Sequence, residues 1–176
     1  YEESYETQMI IKNEPQTILP LHVMRVDGAI ELFYDVSAKQ TLNIMQRLYE
    51  NYKILTYPRT DSRYITTDMV ATIADRLKAV AIGEYRVFAD EILKKKINSN
   101  KSFVDNSKVS DHHAIIPTVN VADIEFGELP SGEQKVLSLI TAQFLSALGD
   151  AAVRSETEVE FTCAEMVFKA KAKILK

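Results

Sequence analysis

A tyrosine and an arginine stand two residues apart, as Tyr57 and Arg59, in a segment whose other residues are mostly small and polar. Pro58 lies between them and disfavours helical backbone at Tyr57, so the pattern predicts an extended conformation. In extended backbone, the side chains of residues two apart point to the same side. A guanidinium can bind phosphate oxygens in a bidentate manner, and a phenol that has lost its proton can attack phosphorus. The pair therefore predicts phosphoryl chemistry, with Tyr57 as nucleophile and Arg59 offsetting charge in the transition state. A structural interpretation, with a packed ring and a solvated arginine, is typical of isolated short motifs.

A second group of polar residues, Asp111-His112-His113, precedes an apolar run. The histidines could simply be packed. The triplet also fits metal-dependent phosphoesterases of the DHH class, but those enzymes need further aspartates, and none stands in a similar apolar strand context. A third interpretation is an imidazole that contacts a phosphate or takes part in proton transfer.

Together the two segments resemble the signatures of the type IA DNA topoisomerases. The first signature matches residues 46–50 and 55–62, and the proline after Tyr57 resembles the topoisomerase III branch. The second, His-x-Ala-Ile-x-Pro, matches residues 112–117. The resemblance is strong over residues 31–118 and weak after Ser131.

The resemblance implies that the protein is an isomerase that cleaves and rejoins one strand of DNA without ATP. Tyr57 would attack a phosphodiester of single-stranded DNA and remain joined to the 5′ phosphate. Arg59 would orient and neutralise that phosphate, and His112 would assist at the DNA. We also expect DNA contacts from Arg63 and from a basic cluster that includes Lys94 and Lys95, although these lysines equally fit a solvated helix end, where cations are favoured. The other members of the cluster are Lys96, Lys101 and Lys108.

The family also holds Mg²⁺ through acidic residues of a Toprim domain, and no part of this sequence matches that domain. We therefore expect no metal site and no cofactor in the chain itself. The chain starts without Met and ends on an alternating, strand-like pattern, so we expect it to be a piece of a longer protein.

Composition limits the classes of function that the chain can have. The net charge is −4, which counts mildly against a nucleic-acid binder. No apolar run is long enough to span a membrane, the N-terminus is unlike a signal peptide, and the single cysteine fits a reducing compartment, which predicts a cytoplasmic location. A non-catalytic DNA-binding module with a winged-helix-like core, using the lysines, remains the alternative function.

The pattern of apolar residues predicts an α+β fold. Strands are expected in residues 1–36 and 154–176, and a helical active-site domain in residues 37–153. The resemblance implies that this helical domain is CAP-like and is inserted into part of a β gate domain. The predicted elements are strands at Gln8–Lys12 and Ile18–Val26 with a break at Asn13–Pro15 and a turn at Asp27-Gly28, helices at Ser37–Asn51, Thr66–Gly83, Tyr85–Lys95 and Ser131–Leu148, and a hairpin from Thr157 that turns near Cys163–Glu165.

Overall fold

The computed structural model describes residues 8–18, 37–95, 97, 101–150, 152–163 and 166–175. These residues form both helices and strands, which confirms a mixed α and β fold. They fall into two compact units, one containing the strands near both ends of the chain and one containing the helices between them. The functional domain limits expected from the sequence stay a prediction.

The strand unit is an antiparallel sheet of three strands in the order β1-β2-β3, with β1 at Gln8–Ile18, β2 at Ala152–Cys163 and β3 at Met166–Leu175. The predicted hairpin is confirmed, and Cys163 pairs with Met166 beside its turn. The strand begins at Ala152, five residues before the predicted Thr157, because its pairing with β1 extends to the partners Ile18 and Ala152.

The predicted break at Asn13–Pro15 is wrong, since β1 continues through it and Pro15 pairs with Ser155. A proline is tolerated on an edge strand, where its missing N–H is not needed on the outer side. Within the described residues β1 pairs only with β2, which gives Pro15 such a position. The expected strand to Val26 and the turn at Asp27-Gly28 lie outside the described residues beyond Ile18.

The helical unit opens with α1, Ala38–Glu50, and its predicted capping box is confirmed. The Gln40 backbone N–H donates to Ser37 Oγ, and the Ser37 backbone N–H donates to Gln40 Oε1 at 3.1 Å. These two bonds satisfy donors that the first helical turn would otherwise leave unpaired. After the helix, Lys53 adopts a left-handed backbone with φ of 56° and turns the chain toward Tyr57.

The helix predicted from Thr66 to Gly83 is two elements, a 3₁₀ turn at Thr67–Thr72 followed by α2 at Ile73–Val80. Thr66 lies before the turn but makes no side-chain capping bond. Gly83, with φ of +54°, supplies the left-handed turn before α3, which runs over Tyr85–Leu93.

The last helix, α4, covers Ser131–Leu148, and its predicted capping box is wrong. The Gln134 backbone N–H donates to the Pro130 carbonyl at 3.0 Å, so the first turn closes one residue earlier than the serine would place it. The Gln134 side chain instead donates to Leu129 O at 2.7 Å. Gly149 ends the helix as predicted, although its backbone is extended with φ of −71°, not left-handed.

The core of this unit lies where the helices meet the extended segments that carry the two signatures. Its fully buried side chains come from all of these parts, and the largest include Met45, Leu48, Ile54, Leu55, Ile73, Leu77, Ile116 and Ile140. The apolar face of α1 is therefore core, as its spacing predicts.

One ion pair joins α1 to α4 beside this core. Arg47 Nε donates to Glu133 Oε1 at 2.6 Å, and the Glu133 side chain is only 4% exposed while that of Arg47 is 48% exposed. A buried carboxylate that loses its charged partner is left without compensation for its lost hydration. Removing Arg47 alone is therefore expected to destabilise the fold by more than the intact pair stabilises it.

We therefore predict that Arg47→Met lowers the free energy of unfolding by about 2 kcal/mol, because Glu133 is left buried without its charged partner. The double variant R47M/E133Q should recover part of that loss, since an amide is easier to bury than a carboxylate. Urea denaturation measures both. Lys78→Met is the matched control, because its pair with Asp75 is exposed on both sides and should contribute under about 1 kcal/mol. Equal stabilities for R47M and K78M would contradict the prediction.

Candidate active site

The two signature segments, distant in sequence, are joined by backbone pairing. Leu55 and Pro117 form an antiparallel bridge. The Thr56 N–H donates to Ile116 O at 3.1 Å, and the Thr118 N–H donates to Ile54 O at 2.9 Å. The residues before Tyr57 therefore pair directly with the residues after His112, and the extended backbone predicted at Tyr57 itself stays a prediction.

Thr56 adds side-chain bonds to this pairing. Its Oγ1 donates to Ala114 O at 3.2 Å and accepts from the Ile116 N–H at 2.9 Å. Ala114 in turn donates its N–H to Tyr64 O at 2.9 Å. Both sides of the Tyr57 loop are thus fixed to the same short segment that follows the histidines.

The Tyr57 ring lies between two other rings. Tyr49 of α1 approaches it edge-on, with centroids 5.5 Å apart and planes at 87°. His112 stacks on it with centroids 4.1 Å apart and planes tilted by 35°. Tyr57 is half-buried, so these contacts restrict the orientation of the ring while leaving it partly accessible to solvent.

The contact from Tyr49 is a feature of the candidate site that the sequence did not predict. Tyr49 is placed by its spacing on the apolar face of α1, and its contact with Tyr57 depends on how the chain turns at Lys53. Tyr49 and Tyr57 lie eight residues apart on different elements, so neither helical nor strand periodicity signals the pair.

Arg59 is exposed and lies with His112 on one cleft of about 400 Å³. The cleft is lined by Arg59, Thr60, Asp61, Ser110, Asp111 and His112. Thr60 Oγ1 donates to His112 O at 2.9 Å, which fixes the floor of the cleft. Within the described part of the chain, no hydrogen bond or ion pair occupies the Arg59 guanidinium, and a free guanidinium can bind an anion.

Arg63 lines a second cleft, of about 290 Å³, that shares Asp61 with the first. The other lining residues are Ser62, Tyr64 and Lys108. The structure therefore brings Arg59 and His112 together at one cleft and places Arg63 at its neighbour.

His113 is half-buried, whereas His112 is exposed. Its Nδ1 donates to Ala114 O at 2.7 Å, and burial lowers its pKa, with nearby Arg76 and His112 acting in the same direction. Arg76 Nη1 donates to Pro117 O at 2.6 Å, and burial lowers its pKa. His113 is thus a half-buried residue that packs behind the signature segment.

Lys94 and Lys95 follow the last residue of α3 and line neither cleft. Lys94 Nζ forms an ion pair with Glu91 at 2.5 Å on an exposed surface. This favours the solvated helix end for Lys94, and a DNA contact of either lysine stays a prediction.

Over the described ranges, no group of three or more His, Cys, Asp or Glu residues could hold a metal ion. Over the same ranges, no helix is long and apolar enough to cross a membrane.

Comparison with known proteins connects this geometry to a family. The family model described as DNA topoisomerase matches residues 4–176. DNA topoisomerase 3 of Bacillus cereus is 56% identical over 115 residues, which are 65% of this chain and 16% of that protein. DNA topoisomerase 3 of Bacillus subtilis is 41% identical over 140 residues, 80% of this chain and 19% of that protein. The chain thus spans under a fifth of the length of these relatives.

A solved structure shares the fold. Full-length topoisomerase I from Thermotoga maritima superposes with a TM-score of 0.65 at 17% identity, covering 98% of this chain and 28% of that one. The mixed arrangement of helices and sheet resembles that topoisomerase. Because the family model matches nearly its whole length, the chain belongs to the DNA topoisomerase family, within the type IA branch, and it is similar to DNA topoisomerase 3.

Proposed function

We propose that this chain carries the nucleophile of a type IA DNA topoisomerase that cleaves and rejoins one strand of DNA. The observation that carries the proposal is the stacking of Tyr57 on His112, which brings the two family signatures into contact in one place. The relatives are named DNA topoisomerase 3, and their name supports DNA as the substrate.

In the proposed reaction the Tyr57 oxygen attacks a phosphodiester of single-stranded DNA. A bond forms between that oxygen and phosphorus, the bond from phosphorus to the 3′ oxygen breaks, and a proton ends on the released 3′ hydroxyl. The 5′ phosphate remains on Tyr57. The phosphotyrosine ester keeps the energy of the broken bond, so the 3′ hydroxyl can reverse the reaction without ATP after another strand has passed.

The side chains around Tyr57 suit separate tasks in this reaction. The rings of Tyr49 and His112 restrict the tyrosine ring, which reduces the entropy lost on reaching a reactive geometry. Arg59 lies at the same cleft as His112 and can offset negative charge on the phosphate in the transition state. The exposed His112 imidazole can contact the DNA or assist a proton transfer.

The wider architecture is part of the proposal. We assign the helical unit to a CAP-like, winged-helix active-site domain and the strand unit to part of a β gate domain, as the family resemblance implies. The family resemblance implies that Mg²⁺ would be held by acidic residues of a Toprim domain, which no part of this sequence matches. When bound, this ion would stabilise charge on the phosphate. Family membership replaces the DHH phosphoesterase interpretation.

A DNA-binding module without catalysis remains the second candidate for this chain. Arg63 and Lys108, which line a cleft beside Arg59, are the observation that favours it, since such cations contact phosphates in any DNA-binding protein. The two candidate functions differ in whether the phenolic oxygen of Tyr57 is required for activity.

Tyr57→Phe in the full-length protein should abolish strand cleavage and relaxation while DNA binding stays near the wild-type value. The substitution removes only the phenolic oxygen and keeps the ring that packs on Tyr49 and His112. Relaxation of supercoiled plasmid and binding of a labelled oligonucleotide measure the two properties. Relaxation at the wild-type rate would exclude Tyr57 as nucleophile and favour the binding module.

Arg59→Lys should slow oligonucleotide cleavage by at least about tenfold, which is about 1.4 kcal/mol in the barrier. Lysine keeps the charge but lacks the planar pair of donors that fits two phosphate oxygens. Single-turnover cleavage at saturating DNA measures the effect, and Lys78→Arg, a change at an exposed site that lines neither cleft, is the control. A rate within twofold of wild type would mean that Arg59 acts only as a positive charge.

The 176-residue chain by itself should bind single-stranded DNA weakly and form no covalent bond with it. Binding should weaken as salt rises, because the contacts are chiefly to phosphates. Cleavage should be absent, because the described residues supply no carboxylate cluster for a metal ion. The assay incubates labelled oligonucleotide with the chain and Mg²⁺ and then runs a denaturing gel, with the full-length protein as positive control. A covalent band from the chain alone would contradict the proposal that cleavage needs a metal ion held by another domain.

A further inference from the structure

The second cleft contains a lysine that is held in place by a tyrosine. Lys108 Nζ donates to Tyr64 Oη at 3.1 Å and lies 4.4 Å from the centroid of the Tyr64 ring. Both contacts suit an ammonium group, which is attracted to a phenolic oxygen and to the face of an aromatic ring. A lysine side chain normally samples many rotamers, so this restraint lowers the entropy that a ligand would have to remove.

The backbone under this pair is fixed as well. Ser62 Oγ donates to Lys108 O at 2.8 Å and accepts from the Tyr64 N–H at 3.1 Å. The next residue, Ile65, donates its N–H to Phe103 O at 2.8 Å. The second cleft is therefore a built feature of the Tyr57 loop and of the segment before His112.

The two clefts differ in charge. In the first, Arg59 shares the lining with Asp61 and Asp111. In the second, Arg63 and Lys108 share the lining with Asp61, and Lys108 also pairs with Asp105, which lies outside the lining. Among the described residues Arg63 forms no ion pair, so its guanidinium is available to an anion in the second cleft, and the partial exposure of both clefts leaves room for a solvated strand.

Asp105 is the other carboxylate close to the lysine, at 3.6 Å from Nζ. Its Oδ1 already accepts from the Ser107 N–H at 3.0 Å and from Ser107 Oγ at 2.6 Å. Those bonds lower the pKa of Asp105, and the bond to Tyr64 raises the pKa of Lys108. The Lys108 ammonium has three donors, and its side chain is 53% exposed, so it can still donate to a ligand.

The two clefts are close enough to bind one strand. Arg59 and Arg63 are four residues apart, which limits the distance between their Cα atoms to about 14 Å. A strand advances about 3.4 Å per nucleotide in B-form DNA. A few nucleotides therefore reach from one cleft to the other, and Asp61 lines both.

From these observations we propose that the second cleft binds a further phosphate of the strand that Tyr57 cleaves, through Lys108 and Arg63, with Tyr64 as the residue that positions Lys108. The proposal rests on the proposed function. It assigns a phosphate contact to Lys108 but not to Lys94 and Lys95, which line neither cleft. It also makes Arg63 a second ligand of the same phosphate.

The test measures binding of single-stranded oligonucleotide by the full-length protein over a range of salt concentrations. Lys108→Gln and Arg63→Gln should each weaken binding about three- to tenfold at low salt and reduce the slope of log K against log salt by about 0.7, the value for one phosphate contact with a single strand. Lys108→Arg should restore the slope. Lys78→Gln is the matched control, since Lys78 is exposed and pairs with Asp75 on α2, and its slope should equal that of the wild type.

Tyr64→Phe tests the positioning role, because it keeps the ring and removes the oxygen that accepts from Lys108. It should raise the KM for oligonucleotide cleavage about two- to fivefold, and this effect should vanish when Lys108 is already Gln. Additive effects of Y64F and K108Q would overturn the positioning role.

Two results would overturn the proposal in distinguishable ways. If the wild-type protein forms a covalent adduct with DNA but K108Q and R63Q keep the wild-type slope, the second phosphate site is wrong and the proposed function stands. If the wild-type protein forms no adduct and binds no single-stranded DNA, the proposed function fails and the second site fails with it.

Discussion

The hydroxyl of Thr56 joins the two halves of the site. It donates to Ala114 O and accepts from the Ile116 N–H, while the backbone of Thr56 donates to Ile116 O. Three bonds therefore meet at one residue next to Tyr57 and hold it against the segment that follows His112. Valine at this position would keep the branched shape but leave a buried donor and acceptor of residues 114–116 without partners, which is costly.

This connection explains why the site needs a helical unit around it. The extended segments alone are short, and isolated pairs of strands are marginally stable. Their apolar residues, including Ile54, Leu55 and Ile116, are fully buried against helices from both sides of the sequence. The Tyr57 ring then inherits its orientation from Tyr49 on α1 and His112 beyond the loop. The orientation of the Tyr57 ring therefore depends on the packing of the core as well as on the loop that carries it.

The sequence predicted those parts of the molecule that depend on local signals. The capping box at Ser37, the apolar face of α1 and the hairpin were all confirmed. The errors at Asn13–Pro15 and Ser131 arose where pairing with a distant strand, or an earlier closure of the first helical turn, outweighed a local preference. Of the site, residue types and spacing indicated Tyr57, Arg59 and His112, but not Tyr49 or the Tyr64–Lys108 pair, because those contacts exist only between separate elements.

The separation of the two paired segments also has a consequence for how the chain folds. Thr56 and Ile116 are 60 residues apart, so the chain between them must close a long loop before their bonds can form. Such non-local contacts are closed late and slowly, since the entropy of the intervening loop is lost before the contacts offset it. On the ribosome, Tyr57 would be made well before His112, one of the two rings that restrict its orientation. The stacking of Tyr57 on His112 thus forms only when this unit has folded, so a nascent or partly unfolded chain presents an unoriented tyrosine.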